Sequence, residues 1–384
     1  MTAEPKAAGE AQSGAFPFVP LTVFAAATLC IAIGGWHYHE YLHTAAHRSA
    51  SDAIEAVASL KVRQIDAWRR ERLNDARILS ANLANADRIR SFLEDPSPAD
   101  RGEDIARFMQ LFIDNLGYRS AVLTDPDGVV RLSVGPDEPT VGAYGLALIR
   151  EVTRTGRSLL SDFHRAPNVP TAHLDLCVPI LVPGGEDDRC VGTYLLRIEP
   201  ERFLYPTLQD WPTPSPTAET LLVRREGEDV LFLNELRHRR DAAMTLRRSV
   251  QDPELPAAAA VRGHVGSLEG RDYRGVPVMA ATRAVPETPW FIVAKVDEEE
   301  AYGPLHRRTK WMGAAIAGLV LLAGLATALW WREREARLLR RHLDSERQNR
   351  ILQELYADER ARRATSLRAA LGRTTLKPVR GLVQ

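Results

Sequence analysis

"AHLDLCVPILVPGGEDDRCVGTYLLRIEP" (172–200) consists of two apolar runs around a polar, glycine-bearing turn. Along an extended chain, Leu174, Leu176, Val178 and Ile180 share one side, while His173, Asp175 and Cys177 share the other. The pattern predicts two antiparallel strands, 172–182 and 190–200, joined by the turn PGGEDDR. Such a two-faced strand buries one side against helices and presents the other to something polar. In a hairpin turning near Glu186, Cys177 lies opposite a residue near 195 rather than opposite Cys190. That register argues against a disulfide between the two cysteines.

The flanking sequence extends this sheet. "AVLTDPDGVVRLSVG" (121–135) reads as strand, tight turn, strand, because Asp125-Pro126-Asp127-Gly128 supplies a preset φ followed by a residue free to take φ > 0. A helix near 140–155 and a strand "SLLSDF" (158–163) complete the set. After the Pro-rich break "WPTPSPT" (211–217) the order repeats in shorter form. "ETLLVRREGEDVLFLNE" (219–235) gives a hairpin turning at Glu226-Gly227, and "GRDYRGVPVMAATRAV" with "PWFIVAKVDEEEAY" gives a second strand pair. Upstream, no Gly or Pro occurs from Trp36 to Asp95. Ile54, Val57, Ile65, Trp68, Ala76, Leu79, Leu83 and Ala86 recur there at helical spacing, which predicts one long amphipathic helix ended by Pro96 and Pro98. "ADRGEDIARFMQLFIDNLG" predicts a second helix, stopped by Gly117. The expected fold class is therefore α+β.

The 384 residues are 45% apolar and 26% charged, with a net charge of zero that gives no reason to expect a nucleic-acid partner. The charge is unevenly spread. "FPFVPLTVFAAATLCIAIGGW" (16–36) and "WMGAAIAGLVLLAGLATALWW" (311–331) contain no Asp, Glu, Lys or Arg. Each is long enough, at about 1.5 Å per residue, to cross a hydrocarbon layer of about 30 Å. Trp36, Trp311, Trp330 and Trp331 stand at their ends, where amphipathic rings prefer the interface. The first run has one Lys before it and no A-x-A site, so it reads as a retained anchor rather than a cleaved signal peptide. Arg332, Arg334, Arg337, Arg340 and Arg341 mark the far end of the second run as cytoplasmic, although Arg307, Arg308 and Lys310 precede it. The expected topology is a two-pass inner-membrane protein with both termini cytoplasmic and residues 37–310 outside.

A long helix leaving a first span, two successive PAS-like α/β modules and a return through a second span resemble the double Cache extracytoplasmic sensor of bacterial receptors. "GRDYRGVPVMAATRAVPETPWFIVAKVDEEEAY" (270–302) resembles the membrane-proximal Cache module. "HLDLCVPILVP" with "VGTYLLRIEPERFLYP" resembles the strand pair of the distal one. The resemblance covers about 37–310 and implies this organisation: tail 1–15, span 16–36, long helix with distal module 37–210, linker 211–217, proximal module 218–305, span 311–331, signalling helix 332–363 and tail 364–384. It implies two antiparallel-sheet modules, a small polar ligand of the amino acid, carboxylate or amine class, a homodimer and a cytoplasmic signalling partner. Relatives usually continue into a kinase, cyclase or chemotaxis output module. Residues 332–384 hold a charged helix with Leu339, Leu343, Ile351 and Leu355 on a partial stripe, and no room for a catalytic domain. The expectation is thus a receptor input module and not an enzyme, either truncated or signalling to a separate protein. A scaffold that holds a protein partner outside the membrane is the alternative.

A carboxylate ligand calls for Arg or His, and an amine calls for Asp. The candidates are Tyr118, Arg119, Arg131, Ser133, Asp162, His164, His173, Asp175 and Arg197, each of which could equally lie on a solvated strand face with local ion pairs. Asp272 and Tyr273 are the proximal counterpart and read as structural. His39, His43 and His47 lie on one helix face, too spread along three turns for a single ion, and read as a polar collar. No cofactor and no metal site is expected. "GGEDD" (184–188) resembles a cyclase signature only superficially: it lacks the aromatic ending and sits in a strand-connecting turn. No phosphate-binding loop or nucleophile elbow is present in the sequence.

Overall fold

In a computed structural model describing residues 18–95, 99–136, 141–166, 169–184 and 188–371, the chain opens with α1 (Phe18–Ser80), a helix of 63 residues. Ile54, Ala58, Ile65, Trp68 and Ala76 form its buried stripe. Lys61, also buried, donates its ammonium to the carbonyls of Thr207 and Asp210, where a helix leaves acceptors unpaired. The single helix expected to run to residue 95 is broken at 81–82. Asn82 takes over as a cap, its side-chain oxygen accepting the Asn85 N–H at 3.2 Å, and α2 (Leu83–Glu94) begins there. A capping side chain ends a helix as effectively as proline, and carries no advance sign in apolar periodicity. Pro96 and Pro98 lie outside the described residues. The second helix, α3 (Ala99–Leu116), stops at Gly117 in the left-handed region, φ 74°.

The distal sheet contains β1 (Ser120–Thr124), β2 (Val130–Val134), β3 (Leu159–Leu160), β4 (His164–Ala166), β5 (Val169–Val182) and β6 (Arg189–Ile198). Its order is β2-β1-β6-β5-β3, with β4 also on β5, and all of these pairs are antiparallel. Gly128, at φ 87°, closes the β1–β2 turn, where Asp125 Oδ1 accepts the N–H groups of Asp127 and Val129 at 3.0 and 2.9 Å. Cys177 pairs with Leu195, as the register predicted; Cys190 faces Leu181, and both thiols are free. Ala121, Leu123, Leu174, Leu176, Val178, Ile180, Tyr194 and Leu196 belong to the core shared with α1, α2 and α3. On the opposite face Val122, Cys177 and Leu195 pack with Ile149 and Val152 of α4 (Ala143–Thr155). A short 3₁₀ turn (Pro200–Arg202) and α5 (Leu204–Gln209) follow.

The expected strand 158–163 is a correction. Only Leu159 and Leu160 join the ladder, and the chain leaves it before β4. The reason is competition from elsewhere. Ser161 bonds to the backbone of Asp175, whereas Asp162 and Phe163 are taken up by the proximal module.

The proximal sheet contains β7 (Glu219–Glu226), β8 (Asp229–Phe232), β9 (Arg247–Ser249), β10 (Gly266–Arg271), β11 (Pro277–Ala284) and β12 (Trp290–Asp297). Its order is β10-β11-β12-β7-β8-β9. The repeat anticipated from the order of the sequence is a repeat of topology. In each sheet the first strand of the leading hairpin pairs with the last strand of the closing pair, β1 with β6 and β7 with β12. The short α6 (Pro256–Val261), every residue of it buried, covers one face. β12 runs straight into α7 (Glu298–Leu371), whose Glu300 accepts bonds from Ser215 and Thr217 of the Pro-rich segment.

Residues 42–307 form one compact unit that contains both sheets; the described residues before 42 and after 307 belong to a second unit. α1 and α7 each include a stretch long and apolar enough to cross a membrane.

Candidate functional site

The site grows from the two-faced strands quoted at the outset. β5 and β6 set Asp175 directly opposite Arg197, and β4 sets His164 opposite His173. His173 and Asp175, two residues apart, share the face turned away from the α1–α3 core. Asp175, His173 and Arg197 are buried, and His164 is half-buried. Asp175 Oδ2 lies 3.1 Å from His164 Nε2, and its Oδ1 lies 3.4 Å from Arg197 Nε. The Ser161 hydroxyl accepts the Asp175 N–H at 2.7 Å, which fixes the strand beneath the carboxylate. The two imidazoles meet edge to face at 4.3 Å, and the Tyr144 ring lies 4.4 Å from His164.

Above these groups a cavity of about 270 Å³ is lined by Val141, Gly142, Tyr144, His164, Asp175 and Arg197, among others. A larger groove, about 690 Å³, runs beside Arg77, Arg157 and Asp188, but none of its lining residues is buried. The smaller cavity is the one that meets buried charge.

Burial by itself would raise the Asp175 carboxyl. The bond to His164 and the Arg197 charge outweigh it and hold the group below the usual carboxylate range. Burial draws His173 below the usual histidine value, with Asp175 opposing. Cys177, on the same face, is pushed up to about 12 by burial and is inert as a nucleophile.

Four of the nine candidates therefore converge: His164, His173, Asp175 and Arg197. The other five stand elsewhere. Tyr118 is buried on the helix side of the sheet, its hydroxyl donating to Asp75 at 3.2 Å and its ring under Arg72. Arg119 pairs with Glu199. Arg131 holds Asp125 with two bonds, of 3.0 and 2.7 Å, at the hairpin turn. Ser133 sits half-buried on the edge strand β2, opposite Val122. Asp162 faces the proximal module, accepting from Trp290 Nε1 and Arg224 Nη1 at 2.6 Å each. Strand alternation gives the face of a residue and not its partner, and in these five the partner decides. Tyr144 and Ser161 were missed. Tyr144 comes from an adjoining helix, whose approach no strand pattern encodes.

The proximal module holds a buried charge cluster of its own. Lys295 pairs with Asp272 at 2.9 Å and Glu219 at 3.1 Å, and the Tyr273 hydroxyl donates to Glu219 at 3.0 Å. Arg274 also bonds to Asp272, at 2.6 Å. Burial would raise Asp272, but Lys295 and Arg274 prevail and lower it. Elsewhere in this module His47 lies 3.2 Å from Glu269, and Tyr302 stacks beside His43 and His47 while donating to the same Glu269.

No family model matches the chain, and no curated protein matches its sequence. Similar solved structures include the ligand-binding domain of the Pseudomonas fluorescens chemoreceptor CtaA with L-serine, at 14% identity and a TM-score of 0.42, covering 66% of this chain and 99% of that one. The ligand-binding domain of the Pseudomonas aeruginosa amino acid chemoreceptor PctB with L-Arg is similar at 17% identity and 0.43, covering 66% and 97%. The extracellular domain of mmHK1S-Z2, named as a histidine kinase, is similar at 15% and 0.43, covering 67% and 98%. A long helix carrying two antiparallel sheets, the α+β plan expected from the sequence, is the plan of residues 42–307.

Proposed function

We propose that this chain is the input module of a membrane-anchored receptor, binding a small polar ligand in the distal cavity and passing the event toward α7. The observation that carries this reading is the Asp175–Arg197 pair, buried across two central strands yet lining a cavity of about 270 Å³. A sheet face needs no buried ion pair to fold, and apolar residues there would be as stable or more so. An aspartate and an arginine side by side are instead suited to a ligand that carries both an amine and a carboxylate. The scaffold alternative calls for an exposed apolar patch in place of an enclosed polar cavity, and the buried pair favours the sensor.

A route outward is available. Residues 161–165 touch the cavity through His164 and Arg165, with Ser161 bonded to Asp175 of its lining, and the proximal module through Asp162, Phe163 and Arg165. Trp290, which receives two of these contacts, begins β12, and β12 continues into α7. In this reading the bulk lies outside the membrane, both termini lie inside, the chain acts as a dimer, and a cytoplasmic partner or output domain receives the signal. A ligand biases such a system only by its difference in affinity between the two states.

The test is thermal melting of the full chain in lipid nanodiscs against panels of amino acids, organic acids and amines. One class should raise the melting temperature, and Arg197→Ala should abolish the rise. A ligand at about 100 times its Kd stabilises by about 2.7 kcal/mol, well above detection. No response to any panel, or an equal response in the variant, would refute the reading.

A further inference from the structure

The hydrogen bonds of the two histidines leave one buried nitrogen without a partner among the described residues. His173 Nδ1 faces the Thr171 carbonyl at 3.0 Å, and His164 Nδ1 faces the Asp162 carbonyl at 3.0 Å. A carbonyl oxygen only accepts, so each Nδ1 carries its proton and each Nε2 of a neutral ring is left with a bare lone pair. His173 Nε2 is buried and has no hydrogen-bond partner among the described residues. His164 Nε2 lies 3.1 Å from Asp175 Oδ2, a contact that takes either a proton on that nitrogen or a cation shared by the two atoms. The orphaned His173 nitrogen stands beside this pair. One donor atom from each of His164, His173 and Asp175 lies within 4.8 Å of the other two.

We propose that His164, His173 and Asp175 form a binding site for a divalent first-row transition metal, with zinc the class best suited, and that the open coordination positions face the distal cavity. Two imidazoles and one carboxylate suit zinc, cobalt and nickel, and three protein ligands leave room for an exogenous donor. The second shell is already in place. Both Nδ1 atoms are held by backbone carbonyls, which fixes the tautomer and the ring plane. Arg197 and the Ser161 hydroxyl steady Asp175 through its other oxygen and its backbone. This cluster is the one found among the described residues; His43 and His47 are not part of it, but they supply the natural control.

This inference rests on reading the cavity as the ligand site, and it narrows what the site takes: the metal ion itself, or a small anion held through it. The experiment is titration of the metal-stripped full chain in nanodiscs with Co²⁺, read by visible d–d absorption, followed by displacement with Zn²⁺. One equivalent should bind with nitrogen-ligand bands. Affinity should fall at least about 10-fold in His173→Gln and in His164→Gln, each checked for an unchanged melting profile without metal. His43→Gln/His47→Gln should bind as the parent does. Should a cavity variant misfold, the zinc X-ray absorption spectrum of the parent decides, since two imidazoles and a carboxylate are required. The inference is overturned if the parent binds no metal, if the cavity variants bind undiminished, or if the His43/His47 pair abolishes binding. Failure here alongside stabilisation by a metal-free organic ligand sinks only the metal. Binding of Co²⁺ at the cavity with no organic ligand active, loaded or stripped, supports the metal and sinks the organic ligand.

Discussion

The two sheets place a cation at the same position and surround it differently. Arg197 of β6 stands opposite Ser120, the first residue of β1, and Lys295 of β12 stands opposite Glu219, the first residue of β7. Around Lys295 two carboxylates and a tyrosine hydroxyl close the cluster, with Arg274 adding a further bond to Asp272. Around Arg197, the Asp175 carboxylate is shared with His164, and all three line a cavity. On the neighbouring strand the residue opposite the cation is Asp175 in one sheet and Ala280 in the other. One plan thus yields a cluster closed by its own side chains near the return helix and another that borders a cavity. A buried charge cluster that borders a cavity is where a ligand can join the set.

The comparison can be broken most directly at the two cations. Lys295→Met strips two buried carboxylates of their partner and should destabilise the chain by about 3–5 kcal/mol, read by chemical denaturation. Arg197→Met should cost less, about 1.5–3 kcal/mol, because His164 still serves Asp175, yet it should erase the response to ligand. Equal losses in both variants would mean that the two clusters are alike. At the junction, Asp162→Ala removes the acceptor of Trp290 and Arg224. It should leave ligand binding intact while abolishing ligand-dependent cross-linking of cysteines placed along 332–355; unchanged cross-linking would exclude the junction as a route. Acid sharpens the contrast further. The folded value of Asp272 lies below the ordinary 3.8, so its stabilisation is complete above that value and is lost as pH falls below it. The acid limb of the stability curve should therefore flatten in Asp272→Asn. The smallest effect belongs to Tyr144→Phe. It removes the hydroxyl that accepts the Asp162 N–H at 3.2 Å, and about 1 kcal/mol of stability is expected to go with it.

Much of this was legible beforehand. The alternation of 172–182 fixed which residues face the helices, and the turn at Asp125–Gly128 fixed the first hairpin. The free cysteines followed from counting across the β5–β6 turn. What escaped was the identity of partners. Arg131 and Asp162 carry the right chemistry on strand-like segments, but one is spent on its own turn and the other on a module 62 residues away in sequence at Arg224. The helix break at Asn82 was hidden because a single capping side chain leaves the apolar stripe on either side intact. Periodicity reports faces; it does not report which long-range contact claims a polar group.

Under the proposed function, the run 161–165 has a consequence for how ligand selectivity can diverge. Ser161 and His164 are bonded to Asp175 in the cavity lining, Asp162 and Phe163 meet the neighbouring module, and Arg165 touches both. In that reading, taste and transmission are written on adjacent letters of one short segment. A lineage that swaps His164 to accept a new compound shifts the backbone that seats Phe163 against Trp290, so retuning selectivity without muting the output would call for paired changes on both sides.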